Sequence, residues 1–453
     1  MKSFIKKNKF FLASILLLCI AAIAYKYYKI GNSKNIKYEG KEVVSIFLKN
    51  DEITKGLPQL VEEYNETSDD IYIKLEFADT DYNNVVFTKL ANEVGADIIQ
   101  YMSTTLIDKE FIQPLDNLNV NYSNIDESYL LKLNNDVIGI KYGVSIPKLM
   151  YNDNIVKDIG LTQKPETLDE LISVLEKIKD KNPEIIPLDI TIANIHNLFS
   201  FIGNIASSDY TTYPTFWNYN SGRYDYNNLS IVIDKFKYMY NNNLINIDFD
   251  TKTQEAVYSD FQNEKSAITV VTSSKKYSVV DRTFNMNVSF SNIPVLKNGD
   301  EKKRYYGTSQ RVLVLANNAR DKEKLSLESK ERLERHEKAV SEVFNWLLSK
   351  DVTSYLEKMD ANYAAFASID YGENGVYYEM NNDKNFYQLK NDPTELLAGN
   401  SKLIQDTVYA MIKGEIDINA GIEKLNLELN DFILNNERNK IVDLDMYKEQ
   451  NNE

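Results

Sequence analysis

Val85-Val-Phe-Thr-Lys-Leu-Ala-Asn-Glu-Val-Gly-Ala-Asp-Ile-Ile-Gln-Tyr101 decides the fold, together with Phe111-Ile-Gln-Pro-Leu115, Tyr142-Gly-Val-Ser-Ile-Pro147 and Leu149-Met-Tyr-Asn152. The residues predict a helix over 86–93, then a short buried strand over 96–101 that ends on an aromatic. A polar turn and a further strand follow. Working upstream, Val43-Val-Ser-Ile-Phe-Leu48 is a short apolar run suited to a central strand. Leu57, Leu60, Val61 and Tyr64 fall at helical spacing and give one buried face. Ile71-Tyr-Ile-Lys-Leu-Glu-Phe77 alternates as a second strand. Strands that alternate with helices predict a mainly parallel sheet covered on both faces.

Downstream the clearest element is a helix starting near Thr167. Pro165 restricts the entry, Thr167 and Glu170 make a capping box, and Leu171, Val174, Leu175 and Ile178 form an apolar stripe. Residues 185–190, 267–271 and 311–316 read as further strands. Trp217 to Tyr226 carries a turn centred on Asn220-Ser-Gly222 between aromatics and reads as a surface hairpin. Asp321 to Lys338 is dense in both charge signs and is expected as an exposed helix or linker, whereas Val340, Val343, Phe344 and Leu347 form a buried stripe with Trp346 at its margin. Residues 437–453 have few large apolar groups and are expected to fray.

With 453 residues the chain exceeds one compact core. A formal charge of −15 argues against a nucleic-acid or anionic-membrane surface, either of which needs clustered Lys and Arg. The one cysteine, Cys19, rules out an intramolecular disulfide and a cysteine metal site, and two histidines, His196 and His336, argue against a histidine-rich centre. No metal and no cofactor is implied. Lys2, Lys6, Lys7 and Lys9 precede an uncharged run from Phe10 to Ala24, the pattern of an export signal. Three readings of residues 1–30 stay open: cleavage after Ala22-Ile23-Ala24, lipidation of Cys19 despite Leu18 in place of a small residue, and retention as a membrane anchor. All three put the rest of the chain outside the cytoplasmic membrane, anchored at the cell surface or secreted.

The ordered pieces resemble the extracellular solute-binding proteins of ABC importers, in the family-one, carbohydrate-binding branch. The likeness runs from about Val43 to Leu425. It is carried by Asp97-Ile-Ile-Gln-Tyr101 ahead of Gln113-Pro-Leu115, Tyr142-Gly to Tyr151-Asn152, and Gly160-Leu161 with Pro165 to Leu171. Asp260 to Thr269, Trp346-Leu-Leu-Ser-Lys-Asp351 and Ile412-Lys-Gly to Leu425 complete it. The resemblance implies a two-lobe α/β fold of the periplasmic-binding-protein type (type II), with a hinge between lobes and a solute in the cleft. Residues 31–146 would begin the first lobe, 147–308 form most of the second, 309–365 return to the first, and 366–453 supply C-terminal helices mainly on the second. The implied role is to capture a small polar solute, an oligosaccharide above all, and deliver it to ABC permease subunits as a monomer. The alternatives are a solute sensor for a membrane kinase and a secreted carbohydrate-active enzyme.

Ligands of open α/β sheets sit beyond the carboxyl ends of the strands. That rule selects Asn50, Asp51 and Glu52 after the first strand, Asp79 to Asp81 after the second, and Tyr101 after the third. In the second lobe it selects Asn194 and His196, then Ser273, Ser274 and Lys276, with Tyr277 following where many sugar binders carry a tryptophan turn. Carboxylates and amides pair with sugar hydroxyls while an aromatic ring packs on the C–H face, so Asp51 and Tyr101 are the leading pair. Against this, Asp51 could simply cap the next helix, and most of the 31 tyrosines are packing residues. Trp217 and Trp346 read as packing rather than ligand platforms. No phosphate-binding glycine loop or Gly-x-Ser-x-Gly elbow occurs, no carboxylate pair stands out, and an enzyme is not expected.

Overall fold

A computed structural model describes residues 40–448, apart from 51–54, 79–80, 102, 126, 146, 208–213, 273–285, 297–304, 319–325, 360–385, 389–391 and 398. The chain enters on β1 (Glu42–Lys49), whose apolar run is buried between two layers of helices. Helix α1 (Leu57–Thr67) follows and turns Leu57 and Val61 inward. Strand β2 (Ile71–Ala78) pairs parallel with β1, Lys49 standing opposite Ala78. Next come α2 (Tyr82–Ala91), which starts one turn earlier than its apolar spacing suggests, and β3 (Ile98–Gln100), parallel to β1 on its other side. The short α3 (Thr105–Asp108) and β4 (Ile112–Gln113) lead to the hairpin of β5 (Leu130–Leu133) and β6 (Asp136–Ser145).

Strand β7 (Pro147–Asn152) begins a second sheet after β6 leaves the first. Asn152 caps α4 (Asp153–Asp158), accepting a hydrogen bond from Asn154 N–H. The predicted capping box is formed: Thr167 Oγ1 accepts from Glu170 N–H at 3.3 Å, and Glu170 Oε2 accepts from Thr167 N–H at 3.1 Å. These bonds start α5 (Leu168–Lys181), whose stripe Leu171, Val174, Leu175 and Ile178 is buried. Strand β8 (Ile186–Asp189) leads to α6 (Ile195–Leu198), which runs on through a π turn, Phe199–Gly203. The hairpin of β9 (Trp217–Asn218) and β10 (Arg223–Tyr224) turns on Gly222 at φ 63°, a conformation that glycine adopts without strain. Helices α7 (Leu229–Asn241) and α8 (Gln254–Gln262), then β11 (Ser266–Thr272) and β12 (Val288–Asn292), complete this part.

The chain returns on β13 (Tyr305–Ala316), which inserts antiparallel between β3 and β6. Helix α9 (Leu327–Leu347) then presses Ala339, Val340, Val343, Phe344 and Leu347 onto the first sheet, its charged first half remaining outside. It is followed by α10 (Lys350–Met359) and by β14 (Phe386–Gln388), which pairs with β13. Helices α11 (Ser401–Lys413), α12 (Ile418–Lys424) and α13 (Asn430–Asn435) end the fold, α11 lying against α7.

Two lobes result, built on sheets ordered β2-β1-β3-β13-β6-β5 and β12-β7-β11-β8. Both sheets are mixed rather than mainly parallel. The reason is connectivity: β13 and β7 come from the opposite lobe and enter against the direction of the βαβ strands. One apolar core fills the α1 and α9 side of the first sheet, and a second runs from its other face continuously into the second lobe.

Two expectations are corrected. The hairpin over 217–226 is a surface feature only at its turn, where Asn220 and Arg223 are exposed, because Trp217 and Tyr226 are 0 % exposed beneath the C-terminal segment. Residues 437–448 are not frayed but form two 3-10 turns, Glu437–Ile441 and Leu444–Tyr447, with Tyr447 5 % exposed. The expected export segment, Cys19 included, lies outside the described residues, among which no helix is long and apolar enough to cross a membrane.

Candidate functional site: the carboxyl ends of the two sheets

Asn50, Asp81 and Tyr101 stand at the carboxyl ends of three neighbouring strands, β1, β2 and β3. Asn50 is exposed, and its N–H donates to the Ala78 carbonyl at 2.9 Å, which extends the β1–β2 pairing by one residue. Asp81 is exposed at the start of α2 and accepts from Asn84 Nδ2 at 2.6 Å. Tyr101 donates its N–H to the Val312 carbonyl at 2.8 Å, and its ring is only 7 % exposed in a cluster with Phe47, Ile99 and Val312.

Beneath these tips lies a polar support that the sequence pattern did not reveal. Tyr82 Oη accepts from Gln100 N–H at 2.7 Å and lies 3.0 Å from the Phe47 carbonyl, ready to donate to it. Burial raises the Tyr82 hydroxyl well above the ordinary phenol range, so it stays neutral and able to donate. Tyr142 Oη donates to Gln100 Oε1 at 3.1 Å. One hydroxyl therefore joins β1 to β3 at their tips, and the fully buried Gln100 is held from β6. The available signal was a Gln inside an apolar strand, since a buried amide must find partners.

In the second lobe Asn194 and His196 follow β8 and are both exposed. Asn194 Oδ1 caps α6 by accepting from His196 N–H at 2.8 Å. The loop before them is fixed from α11: Tyr409 Oη donates to the Ile192 carbonyl at 2.5 Å and Gln405 Nε2 to the Ala193 carbonyl at 2.7 Å. Asp189, 0 % exposed at the end of β8, binds Lys252 Nζ through both oxygens at 2.9 Å, and Lys252 also meets Asp260 Oδ2 at 2.7 Å. Burial pushes the Asp189 carboxyl up to about 6 against the pull of Lys252. This ion pair ties β8 to α8 and is structural. Asp51, Glu52, Ser273, Ser274, Lys276 and Tyr277 lie outside the described residues.

Two lobes, each presenting polar loops at the carboxyl ends of its strands, define a class of protein that grips a solute between its halves. The sequence matches the family of bacterial extracellular solute-binding proteins over residues 50–354, more than half of the chain. The chain belongs to that family. Among solved structures, the binding protein MsmE of Bacillus subtilis, in an open conformation, is 18% identical with a TM-score of 0.61, covering 87% of this chain and 98% of its own. A sugar transporter of Bacillus licheniformis in complex with stachyose is also 18% identical, at a TM-score of 0.57 with 86% and 99% covered. The cyclic α-maltosyl-1,6-maltose binding protein of Arthrobacter globiformis is 11% identical, at a TM-score of 0.66 with 86% and 99% covered. At these identities the likeness speaks for the fold. No curated protein matches the chain. The Bacillus subtilis and Arthrobacter globiformis proteins are binding proteins, and the family is one of extracellular solute-binding proteins.

Proposed function

We propose that the protein is the solute-binding component of an ABC importer and captures an oligosaccharide between its lobes for delivery to membrane permease subunits. The observation that carries this reading is a family match spanning both lobes, in a chain whose two sheets offer polar carboxyl-end loops. Neighbouring folds solved in complex with stachyose and with raffinose favour a sugar over other small polar solutes. In this reading residues 31–146 and 309–365 form the first lobe, 147–308 most of the second, and 366–453 the helical end that packs on it. Residues 1–30 direct export and hold the chain at the outer face of the membrane. Asn50, Asp81 and Tyr101 face the solute from one side, and Asn194 and His196 from the other.

The test is calorimetric titration with raffinose, stachyose and maltotriose, with glycine and spermidine as controls. Binding of at least one sugar is expected. Asn50→Ala and His196→Ala, exposed positions on opposite lobes, should each weaken it about tenfold, as loss of about 1–1.5 kcal/mol of hydrogen bonding implies. Tyr101→Ala should weaken binding as well, with a lower thermal midpoint because the ring is buried. Heat with spermidine or glycine alone would overturn the sugar assignment, and sugar hydrolysis during the titration would overturn the binding role.

A further inference from the structure

We propose that residues 436–448 form a strap that ties the second lobe to the first apart from the strand crossings, and that this strap sets how far the lobes can separate. The strap leaves α13 with Asn436 capping the first 3-10 turn, its Oδ1 accepting from Arg438 N–H at 3.0 Å. On the second lobe it is fastened under the hairpin, where the buried Trp217 Nε1 donates to the Tyr447 carbonyl at 3.1 Å. Gly222 at the hairpin turn lies so close to Lys448 that an added Cβ would come within 2.2 Å of Lys448 Cε.

On the first lobe the strap grips the turn between β5 and β6. Tyr447 Oη donates to the Lys132 carbonyl at 2.9 Å and accepts from Asn134 N–H at 3.3 Å. Asn134 Nδ2 donates to the Ile441 carbonyl at 2.9 Å, while its Oδ1 accepts from Asp443 N–H at 2.7 Å. Arg438 Nε pairs with Asp108 Oδ2 at 3.1 Å, reaching α3 of the same lobe. Tyr447 thus bonds one lobe through its carbonyl and the other through its hydroxyl.

The position of the strap gives it its effect. The β5–β6 turn is at the amino end of β6, whereas the proposed solute loops are at the carboxyl ends of β1, β2 and β3. Any hinge movement must either carry the strap along or break these bonds. Contacts made in one lobe arrangement and lost in another shift the population between them by their difference in free energy. Released strap bonds therefore free the lobes to sample a wider range of separations, with no residue changed near the solute.

The strap is tested without solute, so it stands or falls separately from the sugar assignment. Spin labels on Glu62→Cys in α1 and Asp180→Cys in α5, both exposed and on different lobes, report lobe separation by double electron–electron resonance in a Cys19→Ser chain. Asn134 has φ 55°, so Asn134→Gly deletes both side-chain bonds while keeping a backbone conformation that glycine favours. Combined with Tyr447→Phe it should widen the distance distribution about twofold and speed amide exchange over 438–447. Ending the chain at Asn435 should widen it at least as much. An unchanged width in the truncated chain, with cooperative unfolding retained, would overturn the proposal; so would faster exchange in the double variant without widening.

Discussion

His336 is the residue on which the pH response of the first lobe turns. Its Nδ1 lies 2.8 Å from Glu42 Oε1 and its Nε2 2.9 Å from Asp97 Oδ1, so α9 is pinned to the amino ends of β1 and β3. The hydrogen bond to Asp97, opposed by partial burial and helped by the carboxylate charges, lifts the imidazole to about 9 from an ordinary 6.5. Burial would raise the Asp97 carboxyl, yet the bonds from His336 and from Ser45 outweigh it and hold the group below its usual range. A cation favoured by folding stabilises fully below the unfolded value and loses its effect as pH rises through the folded one. Stability is therefore expected to fall between pH 6.5 and just above 9, by about 2 kcal/mol after discounting for partial exposure. The Asp97 contribution runs the other way: present above pH 3.8, it is lost as pH falls through the lowered folded value. Urea unfolding of the parent and His336→Gln chains across pH 6–10 checks this, the variant showing the flatter profile. Equal slopes would mean that the imidazole is not charged in the fold. Residue chemistry of this kind was invisible in the sequence, where His336 sits in a charged run 239 positions from Asp97.

At the scale of elements, legibility follows how local the determinants are. The start and buried face of helix α5 were readable because the start is set by Pro165, Thr167 and Glu170 and the face by four apolar residues at helical spacing. Two measurements test that account by thermal or urea unfolding. Thr167→Ala should cost about 1 kcal/mol through loss of the cap, and Leu175→Ala about 2–5 kcal/mol through a cavity beneath a fully buried side chain. A Leu175→Ala loss below that of Thr167→Ala would mean that the stripe does not carry the packing. The hairpin over 217–226 was readable as a turn from Asn220-Ser-Gly222, and in the fold Asn218 Oδ1 accepts from Asn220 and Ser221 N–H at 3.0 and 3.2 Å. Its burial was not readable. Trp217, Tyr224 and Tyr226 are aromatic on both sides of the turn, and what covers them, Asn426, Asn430 and Tyr447, arrives some 200 residues later. For the same reason 437–448 looked bare: only Val442, Leu444 and Tyr447 join the apolar core, and the rest of its hold comes from amide, carbonyl, hydroxyl and carboxylate groups.

Across the whole molecule, one apolar core joins the α2 face of the first sheet to the interior of the second lobe, from Phe47 and Tyr101 through Trp217 to Met411. Lobes that share a core should unfold together. In Trp346→Phe the one remaining tryptophan, Trp217, reports on the second lobe, while far-UV circular dichroism reports on both. Coincident midpoints in guanidinium are expected, and transitions separated beyond error would show lobes that unfold one at a time. The sequence alone determined the alternation of strands and helices, the α5 cap, the family resemblance and the strand-end loops, because spacing, capping and turn chemistry act within a few residues. Tertiary structure decided the mixed direction of the sheets, the buried hairpin, the strap, the His336 clamp and the burial of Tyr101. Each of these depends on which distant segment closes over a surface, and neither hydrophobic period nor local propensity encodes a partner hundreds of residues away.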